Sequence, residues 1–474
     1  MKKIPIHEVT PKQEGKQGQE SYDLYAKREH IYVRNYHGLF KNLRVAANAV
    51  LFAMFFGFSW LNWDGKQAVL FDLPNRQFYV FGTTFWPQDF VLLSFLLIIL
   101  AFFLFFVTVF AGRIWCGYTC PQFVWTWLFI WVERITEGDR NARMKRDKQP
   151  MNLSKGLRKL AKHSLWVIIA VVSSIAFVGY FTPIRELIPA VFSFELGPWE
   201  LWWLGFIAFA TYGNAGWLRE QVCIYMCPYA RFQSVMFDQD TLVVSYDEKR
   251  GETRGPRKKN QDYKAEGLGD CIDCKACVHV CPVGIDIRDG LQYECIACGA
   301  CVDACDEIMD RVGYERGLVK YTTEHALEGK KTHFLRPRLI GYFAVMVLMV
   351  GGFVYSLSAR VPIEVDVLRD RGQLFTPVAG NQIENVYTLK VVNKEEVDHN
   401  YSLRLGGIDG LELVGDSFFS VAAGSRKDIT IKVRADVNSL TKVSSNIVFI
   451  VEATSASDIY VEREGRFLGP PPKR

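Results

Sequence analysis

The sequence lacks the signatures of the common nucleotide and haem cofactors. It has no G-x-G-x-x-G fingerprint, no P-loop and no C-x-x-C-H haem attachment site. These absences exclude an evident site for a bound nicotinamide, flavin or ATP, and for covalently attached haem. If the chain handles electrons, they must arrive from another molecule and leave to another molecule.

Cysteine is missing after Cys305, and all 12 cysteines lie between Cys116 and Cys305. Thiols stay reduced on the cytoplasmic side of a membrane, so this distribution places the cysteine-rich part on that side and predicts that no disulfides hold the fold together. The first 44 residues also lack an early apolar core and an A-x-A site, and we therefore expect no cleavable signal peptide.

Charged residues are absent from five apolar stretches. Each approaches or reaches the length that an α-helix needs to cross a hydrocarbon core of ~30 Å. The stretches are 45–63, 90–111, 165–181, 201–217 and 339–356. A shorter apolar segment, 122–136, predicts an interfacial or re-entrant helix and not a sixth crossing. The sequence thus predicts five transmembrane helices in a lipid bilayer.

Lysine and arginine are unevenly distributed over the connecting loops. The 112–164 loop holds eleven of them, whereas the 64–89 loop holds two and the 182–200 loop holds one. The positive-inside rule therefore places the N-terminus and the 218–338 segment in the cytoplasm of a bacterium and the C-terminal part in the periplasm, across the inner membrane. The short basic run at 254–259 fits a solvated loop, and we expect no nucleic-acid partner.

Eight cysteines form two runs with the same spacing, C-x2-C-x2-C-x3-C. This spacing is typical of bacterial ferredoxins, in which the fourth cysteine of one run binds the cluster of the other. We therefore predict two 4Fe–4S clusters. The ligands of the first are Cys271, Cys274, Cys277 and Cys305, and those of the second are Cys295, Cys298, Cys301 and Cys281. Zinc and disulfides fit this spacing badly. Asp306 stands where the second run would usually have proline, which leaves the local turn uncertain but not the cluster.

The other four cysteines belong to a repeated C-x-Y-x-C-P motif. The thiols are Cys116, Cys120, Cys223 and Cys227. Each motif follows the second helix of a predicted hairpin, so an internal repeat would bring the four thiols together at the membrane surface. Arg113 and Arg219, which precede the motifs, would favour thiolates. The residues leave open a metal site for an ion such as Cu(I), a redox dithiol, another cluster, or buried thiols that merely pack.

Beyond residue 358, apolar and polar residues alternate in five short segments, which predicts half-buried strands in a β-sandwich of immunoglobulin type. The predicted fold is a multi-domain membrane protein with a helical transmembrane bundle, an inserted two-cluster ferredoxin-like domain and this sandwich. Its predicted parts are a cytoplasmic tail (1–44), four membrane helices with the two motifs (45–240), the ferredoxin domain (241–334), a fifth membrane helix (335–358) and a periplasmic immunoglobulin-like domain (359–474).

The combined motifs resemble the membrane polyferredoxins related to NapH and NosR. The fuller pattern is similar to the FixG/RdxA/CcoG family of cytochrome c oxidase accessory proteins. It includes VSYDEKRGETRG at 244–255, CDEIMDR at 305–311 and the β domain without cysteine. The resemblance covers nearly the whole chain except the first 30 residues.

This resemblance implies a metalloreductase that converts Cu(II) to Cu(I) during assembly of a cbb(3)-type oxidase. The implied partners are oxidase subunits or copper chaperones and an unidentified electron donor. The eight clustered cysteines would carry electrons, and the four motif cysteines would be the catalytic thiols and candidate copper ligands. Two other functions stay open: an electron relay from quinol to a partner reductase, and a non-catalytic scaffold for oxidase assembly.

Overall fold

The computed structural model describes residues 30–63, 65–257, 262–370, 372–395, 397–440, 442–454 and 456–471. Residues 30–44 belong to the predicted cytoplasmic tail, and in the structure they pack against the cysteine-rich region. Tyr36 and Arg44 are buried. The first helix, α1 (Leu39–Gly57), begins before the predicted start because Asp303 caps it: the N–H groups of Phe40 and Lys41 donate to its carboxylate at 3.2 and 2.8 Å. The rest of the predicted tail, 1–29, lies outside the described residues.

In the first part of the chain, five short strands lie between two apolar helices in sequence order. After α1 come β1 (Asn62–Trp63), β2 (Lys66–Gln67), β3 (Val69–Asp72), β4 (Gln77–Val80), β5 (Thr83–Phe85) and α2 (Phe90–Ala111). β1 pairs with β2, and β3, β4 and β5 form an antiparallel sheet. The prediction of a helix over 90–111 is confirmed.

The basic 112–164 region is mostly helical. It forms α3 (Ile114–Tyr118), α4 (Pro121–Glu137), α5 (Arg140–Asp147) and the first part of α6 (Leu153–Val178). The helix predicted at 122–136 is confirmed as α4, which starts with proline at its first position, where the missing N–H costs nothing. The first part of α6 is basic, and the apolar stretch predicted from residue 165 forms the rest of the helix.

The next segment contains two runs of π-helix, a geometry that is rare in proteins. Its elements are α7 (Ile184–Ser193), α8 (Pro198–Thr211), the π-helical runs Tyr212–Leu218 and Val222–Met226, and α9 (Pro228–Met236). The stretch predicted as the fourth membrane span, 201–217, thus forms most of α8, itself 14 residues long, and most of the first π-helical run.

The two cysteine runs lie in a small domain held together by two distant strands. Its elements are β6 (Val243–Tyr246), α10 (Glu248–Gly251), α11 (Ala276–His279), α12 (Ala300–Val312), β7 (Val319–Thr322) and α13 (Glu324–Leu327). β6 and β7 are antiparallel, with Val243 opposite Thr322. Their apolar residues share one buried core with the cysteine runs.

A helix and a two-sheet sandwich complete the chain. They are α14 (Pro337–Ser358), β8 (Ile363–Arg369), β9 (Thr376–Val378), β10 (Gln382–Asn393), β11 (His399–Gly406), β12 (Glu412–Val414), β13 (Phe418–Val421), β14 (Arg426–Asp436), β15 (Ser444–Ala453) and β16 (Ala456–Leu468). One sheet has the order β12-β14-β10-β8, with β9 also on β10, and the other β13-β11-β15-β16. Tyr387 and Phe449 meet edge to face between the sheets at 5.0 Å. The predicted sandwich is confirmed.

Within the described part of the chain, four helices are long and apolar enough to cross a membrane. They are Leu39–Gly57, Pro87–Ala111, Leu153–Val178 and Pro337–Ser358. These four coincide with four of the five predicted spans. Much of their surface is exposed apolar side chain, which an aqueous environment would disfavour and a bilayer would accommodate.

Candidate functional site

The first cavity of the cysteine-rich domain has four cysteines in its wall, drawn from both runs. They are Cys271, Cys274, Cys277 and Cys305. Its other walls include Tyr246, Met309 and Leu318. Asp273 and Lys275 adopt left-handed backbone conformations, which turn the short loop so that its three cysteines converge.

A second cavity is lined by the complementary set of cysteines. They are Cys281, Cys295, Cys298 and Cys301, and Cys277 of the first cavity also reaches this wall. The remaining lining is apolar, including Val283, Ile285 and Ile287. The fourth cysteine of each run therefore lies with the first three of the other run, in the arrangement that the spacing predicts.

Helix α12 connects the two cavities. Cys301 and Cys305 are one turn apart on it, so one lines the second cavity and the other the first. Asp306 follows within the same helix, where a proline would disrupt hydrogen bonding, and its carboxylate accepts from the N–H of Gly317 at 2.9 Å. The unusual residue after the second run thus has a structural role in positioning the next loop.

The cavities fit iron–sulfur clusters by shape and by the chemistry of their donors. All of the potential ligands are thiols, the soft donors that such clusters use. Burial raises the pKa of Cys295 to about 11 and those of Cys277 and Cys281 to about 12. These three thiols are therefore protonated at neutral pH in the protein without iron, and binding of iron must displace their protons.

The four motif cysteines are brought together as the repeat predicts. Cys116 lies on α3 and Cys223 in the second π-helical run, while Cys120 and Cys227 are the extended residues directly before the prolines that start α4 and α9. Burial, followed by the charges of the other three thiols, raises the pKa of Cys223 to about 12. The sulfur of Cys116 donates to Oε1 of Gln233 at 3.4 Å.

The expected preference for thiolates beside the arginines is present for Arg113, but burial has the larger effect. Arg113 does lower the pKa of Cys116, but burial outweighs it and the net pKa rises to about 12. Arg219 is engaged elsewhere, because its guanidinium pairs with Glu133 at 2.5 Å. A metal ion or an oxidant would therefore have to displace a proton from Cys116.

The thiol group borders the second cavity directly. Cys116 and Cys223 pack against the buried core that contains the cluster cysteines. Gly117, between the two cysteines of the first motif, lies so close to the second run that a Cβ there would be 2.8 Å from the carbonyl oxygen of Ile296 and 3.0 Å from Cα of Cys298. Arg113 donates to the carbonyl of Tyr293, just before that run.

We expect Gly117→Ala to loosen this contact. The methyl group would displace the backbone of residues 296–298, and overpacking of this kind typically costs about 1–3 kcal/mol. The variant should therefore show a lower unfolding temperature in detergent and lose iron faster to a chelator. Gly156→Ala on α6 is the matched control, since a Cβ there meets no atom within 4 Å. Equal unfolding temperatures and equal rates of iron loss in the two variants would show that the first motif does not pack tightly against residues 296–298.

Several residues that support the site were missed in the sequence. The guanidinium of Arg44 donates to the carbonyl of Cys298 at 2.6 Å, and Tyr321 donates to that of Ala297 at 2.6 Å. Glu133 on α4 binds both Arg143 and Arg219 while buried. Although burial opposes its ionisation, Arg219 and Arg143 hold the pKa of Glu133 below the ordinary value. Arg44 stands at the end of a basic segment, and nothing in the sequence around it predicts its contact with Cys298.

Comparison with known proteins identifies the two domains and the family. A family model described as a 4Fe-4S dicluster domain matches residues 218–324, and a model of the IG-like fold at the C-terminus of FixG matches residues 353–470. The nitrogen fixation protein FixG of Rhizobium meliloti is 37% identical over 87% of this chain and 85% of its own length. The chain belongs to the FixG/RdxA family.

Other members of the FixG/RdxA family are similarly related to this chain. Protein RdxB of Cereibacter sphaeroides is 40% identical over 81% of this chain and 83% of its own length. A crystal structure of a FixG-related protein from Vibrio parahaemolyticus matches 23% of this chain and 95% of that one at 34% identity, with a TM-score of 0.21. With its dicluster domain and apolar helices, this FixG/RdxA protein is a membrane-associated iron–sulfur electron-transfer protein.

Proposed function

We propose that the chain is a cupric reductase that supplies Cu(I) for the copper centre of a cbb(3)-type cytochrome c oxidase. The observation that supports this function most directly is the packing of the first motif on the second cysteine run: Cys116 and Cys223 pack against the core that holds the cluster cysteines, and Gly117 closely approaches Ile296 and Cys298. Reduction of Cu(II) to Cu(I) takes one electron and no proton, and a 4Fe–4S cluster stores one electron. Buried thiols beside that store suit the product, because soft sulfur ligands select Cu(I).

The cluster ligands that we propose follow the two cavities. Cys271, Cys274, Cys277 and Cys305 would hold one cluster, and Cys281, Cys295, Cys298 and Cys301 the other. The second lies beside the thiol group, so it would be the one that faces copper. The surrounding residues keep this cavity dry and fix its loop, since Arg44 and Tyr321 hold the backbone carbonyls of the second run.

The four motif cysteines would receive copper as substrate. Burial raises the pKa values of Cys116, Cys120 and Cys223 and so favours neutral thiols until an ion arrives, which limits unwanted oxidation of the free site. Cys116, Cys120, Cys223 and Cys227 would close around a single Cu(I), because Cys223 lies near enough to the other three thiols for their charges to raise its pKa. The spacing leaves open three functional roles for the thiols: a metal site, a redox dithiol or another cluster. We propose the metal site, in which the thiols bind the copper that is reduced.

We propose a membrane topology with five crossings, the fifth predicted span included. α8 and the π-helical run after it continue without a break over Pro198–Leu218, roughly the 30 Å of a hydrocarbon core. Trp199 and Phe209 on this segment are mostly exposed, as lipid-facing side chains would be. Clusters and thiols would then face the bacterial cytoplasm, and the sandwich would face the periplasm, where oxidase subunits or copper chaperones could bind it.

Transfer of electrons from the clusters to copper is the step that tests the proposed function. Full-length protein in detergent is reduced with dithionite, freed of excess reductant and mixed anaerobically with a Cu(II)–histidine complex. We expect the reduced-cluster signal to disappear at a rate that saturates with copper, with about two Cu(I) formed per chain, one per cluster. Unchanged iron content after the reaction controls for cluster damage. Clusters that stay reduced in the presence of Cu(II) would contradict the proposal.

A second candidate function, relay of electrons from quinol to a partner reductase, is favoured by one cavity. This cavity is open to its surroundings and lies between α1, α4, α6 and α8, next to the first motif. Aromatic residues (Phe55, Trp125, Phe177) and a few polar ones (Gln122, Ser173, Asn214) line it. Such a mixture suits a quinone ring. Cluster reduction by a soluble quinol, with no oxidation by Cu(II), would favour this function over the first.

A further inference from the structure

Two histidines and an aspartate meet outside the cysteine sites. One ligand atom from each of Asp240, His325 and His333 lies within 4.8 Å of the other two. Asp240 follows α9, while the histidines lie in α13 and in the loop between α13 and α14. Neither the spacing of the cysteines nor the electron-transfer role requires this group.

The backbone around this group holds the three side chains in place. The N–H of His325 donates to the carbonyl of Gln239 at 3.2 Å, and the N–H of His333 donates to Oδ1 of Asp240 at 2.9 Å. The hydroxyls of Thr323 and Thr332 hydrogen bond at 2.7 Å and close the loop that carries both histidines. The geometry is therefore set by main-chain contacts, not by the side chains alone, and a ligand would meet preorganised donors.

The group is protected on one side and open on the other. The side chains of Asp240 and His325 are 13% and 19% exposed, whereas that of His333 is 68% exposed. Nδ1 of His325 lies 2.8 Å from Oδ1 of Asp240, and Nδ1 of His333 lies 3.7 Å from Oδ2. An ion arriving from solvent could replace these contacts and still keep water on its open side.

We propose that Asp240, His325 and His333 form a binding site for Cu(II). Imidazole and carboxylate donors bind the late first-row transition metals as divalent ions. Among these ions, Cu(II) binds most tightly. The thiol group, by contrast, offers the sulfur donors that select Cu(I). The chain would thus contain one site for each oxidation state of copper.

The position of the site connects it with the four-thiol group. α9 begins directly after Cys227 and ends at Met236, a few residues before Asp240. Asp238 on the same turn is anchored to the start of α14 by Arg336 at 2.5 Å. The Cu(II) site would therefore lie on the side of the protein that carries the cluster domain, beyond the C-terminal end of the helix that Cys227 precedes. Its role as an entry site for substrate rests on the proposed function, whereas ion binding does not.

Titration of the full-length, oxidised protein with CuSO4 tests the site. Oxidised 4Fe–4S clusters give no paramagnetic signal, so bound Cu(II) can be followed by electron paramagnetic resonance. We expect one bound Cu(II) per chain, and its spectrum should show the splitting caused by two coordinating imidazole nitrogens. The affinity should fall by more than about 100-fold in His325→Ala/His333→Ala, because loss of an outer partner of a ligand alone typically costs about 10–100-fold. Asp240→Asn, which keeps the hydrogen-bond acceptor, should weaken binding without unfolding the loop.

The controls separate this site from other histidines and other ions. His37→Ala removes an exposed histidine outside the site and should leave the nitrogen-coupled signal unchanged. ZnSO4 should compete only in excess, because Zn(II) ranks below Cu(II). An unchanged signal in the double variant, or occupancy by Zn(II) in preference to Cu(II), would overturn the proposal. A wild-type protein that shows the two-nitrogen signal but does not reduce copper would support the site and contradict the proposed function.

Discussion

Replacing Cys116, Cys120, Cys223 and Cys227 together by serine should abolish Cu(II) reduction while both clusters stay bound. The substitution removes every sulfur donor of the thiol group but leaves the eight cysteines of the two cavities untouched. Serine is nearly isosteric with cysteine, so the contact of the first motif with the second cluster loop should persist. Because hard hydroxyls bind Cu(I) poorly, copper would no longer be held beside the electron store.

The measurement is the anaerobic oxidation of dithionite-reduced protein by a Cu(II)–histidine complex. Met226→Leu is the matched control: this exposed methionine lies within the second motif and carries sulfur, yet it is not among the four thiols. It should reduce copper as the wild type does. A quadruple variant that reduces copper at the wild-type rate, with its clusters intact, would remove the thiols from the reaction.

Iron analysis of the wild type and the quadruple variant distinguishes two roles of the thiols, binding of copper and binding of another cluster. If the thiols serve copper, the wild type and the quadruple variant both contain about eight irons per chain, the content of two 4Fe–4S clusters. If the thiols hold another cluster, the wild type contains about twelve and the variant about four fewer. The second result would make the thiol group part of the electron path and would require a different site for copper.

The parts of the fold that follow from local sequence were predictable. A charge-free apolar run of suitable length is a sufficient signal for a helix such as α2, because lipid demands internal backbone hydrogen bonding. The doubled cysteine spacing was enough to pair Cys281 with the second run and Cys305 with the first, since a short loop can supply only three ligands to one cluster. Alternation of apolar residues likewise predicted β10 and β15.

The supporting contacts could not be predicted, because they join residues that no local pattern relates. Asp303 caps α1 across 263 residues, and Arg44 reaches the carbonyl of Cys298 across 254. Asp240 meets His325 across 85 residues. Each contact depends on how separately folded segments dock. Hydrophobic periodicity describes one face of one element and contains no information on such docking. Burial of the motif thiols, which outweighs the expected effect of Arg113 on Cys116, was hidden for the same reason.

The pairing of cysteines across the two runs leads to the second large effect. Cys305→Ala should destabilise the cluster bounded by Cys271, Cys274 and Cys277, although Cys305 belongs to the other run. Cys281→Ala should instead destabilise the cluster bounded by Cys295, Cys298 and Cys301. In each variant a cluster retains three of its four thiolates, and brief treatment with an iron chelator should lower the iron content from about eight to about four per chain.

The identity of the released thiols decides between this arrangement and one cluster per run. After the chelator step, alkylation and mass spectrometry should find Cys271, Cys274 and Cys277 modified in Cys305→Ala, and Cys295, Cys298 and Cys301 modified in Cys281→Ala. Each variant is the control for the other, since both lose one thiol from the same domain. The opposite labelling would mean that each run holds its own cluster. Because the second cavity borders the motif thiols, Cys281→Ala should also lose copper reduction more completely than Cys305→Ala.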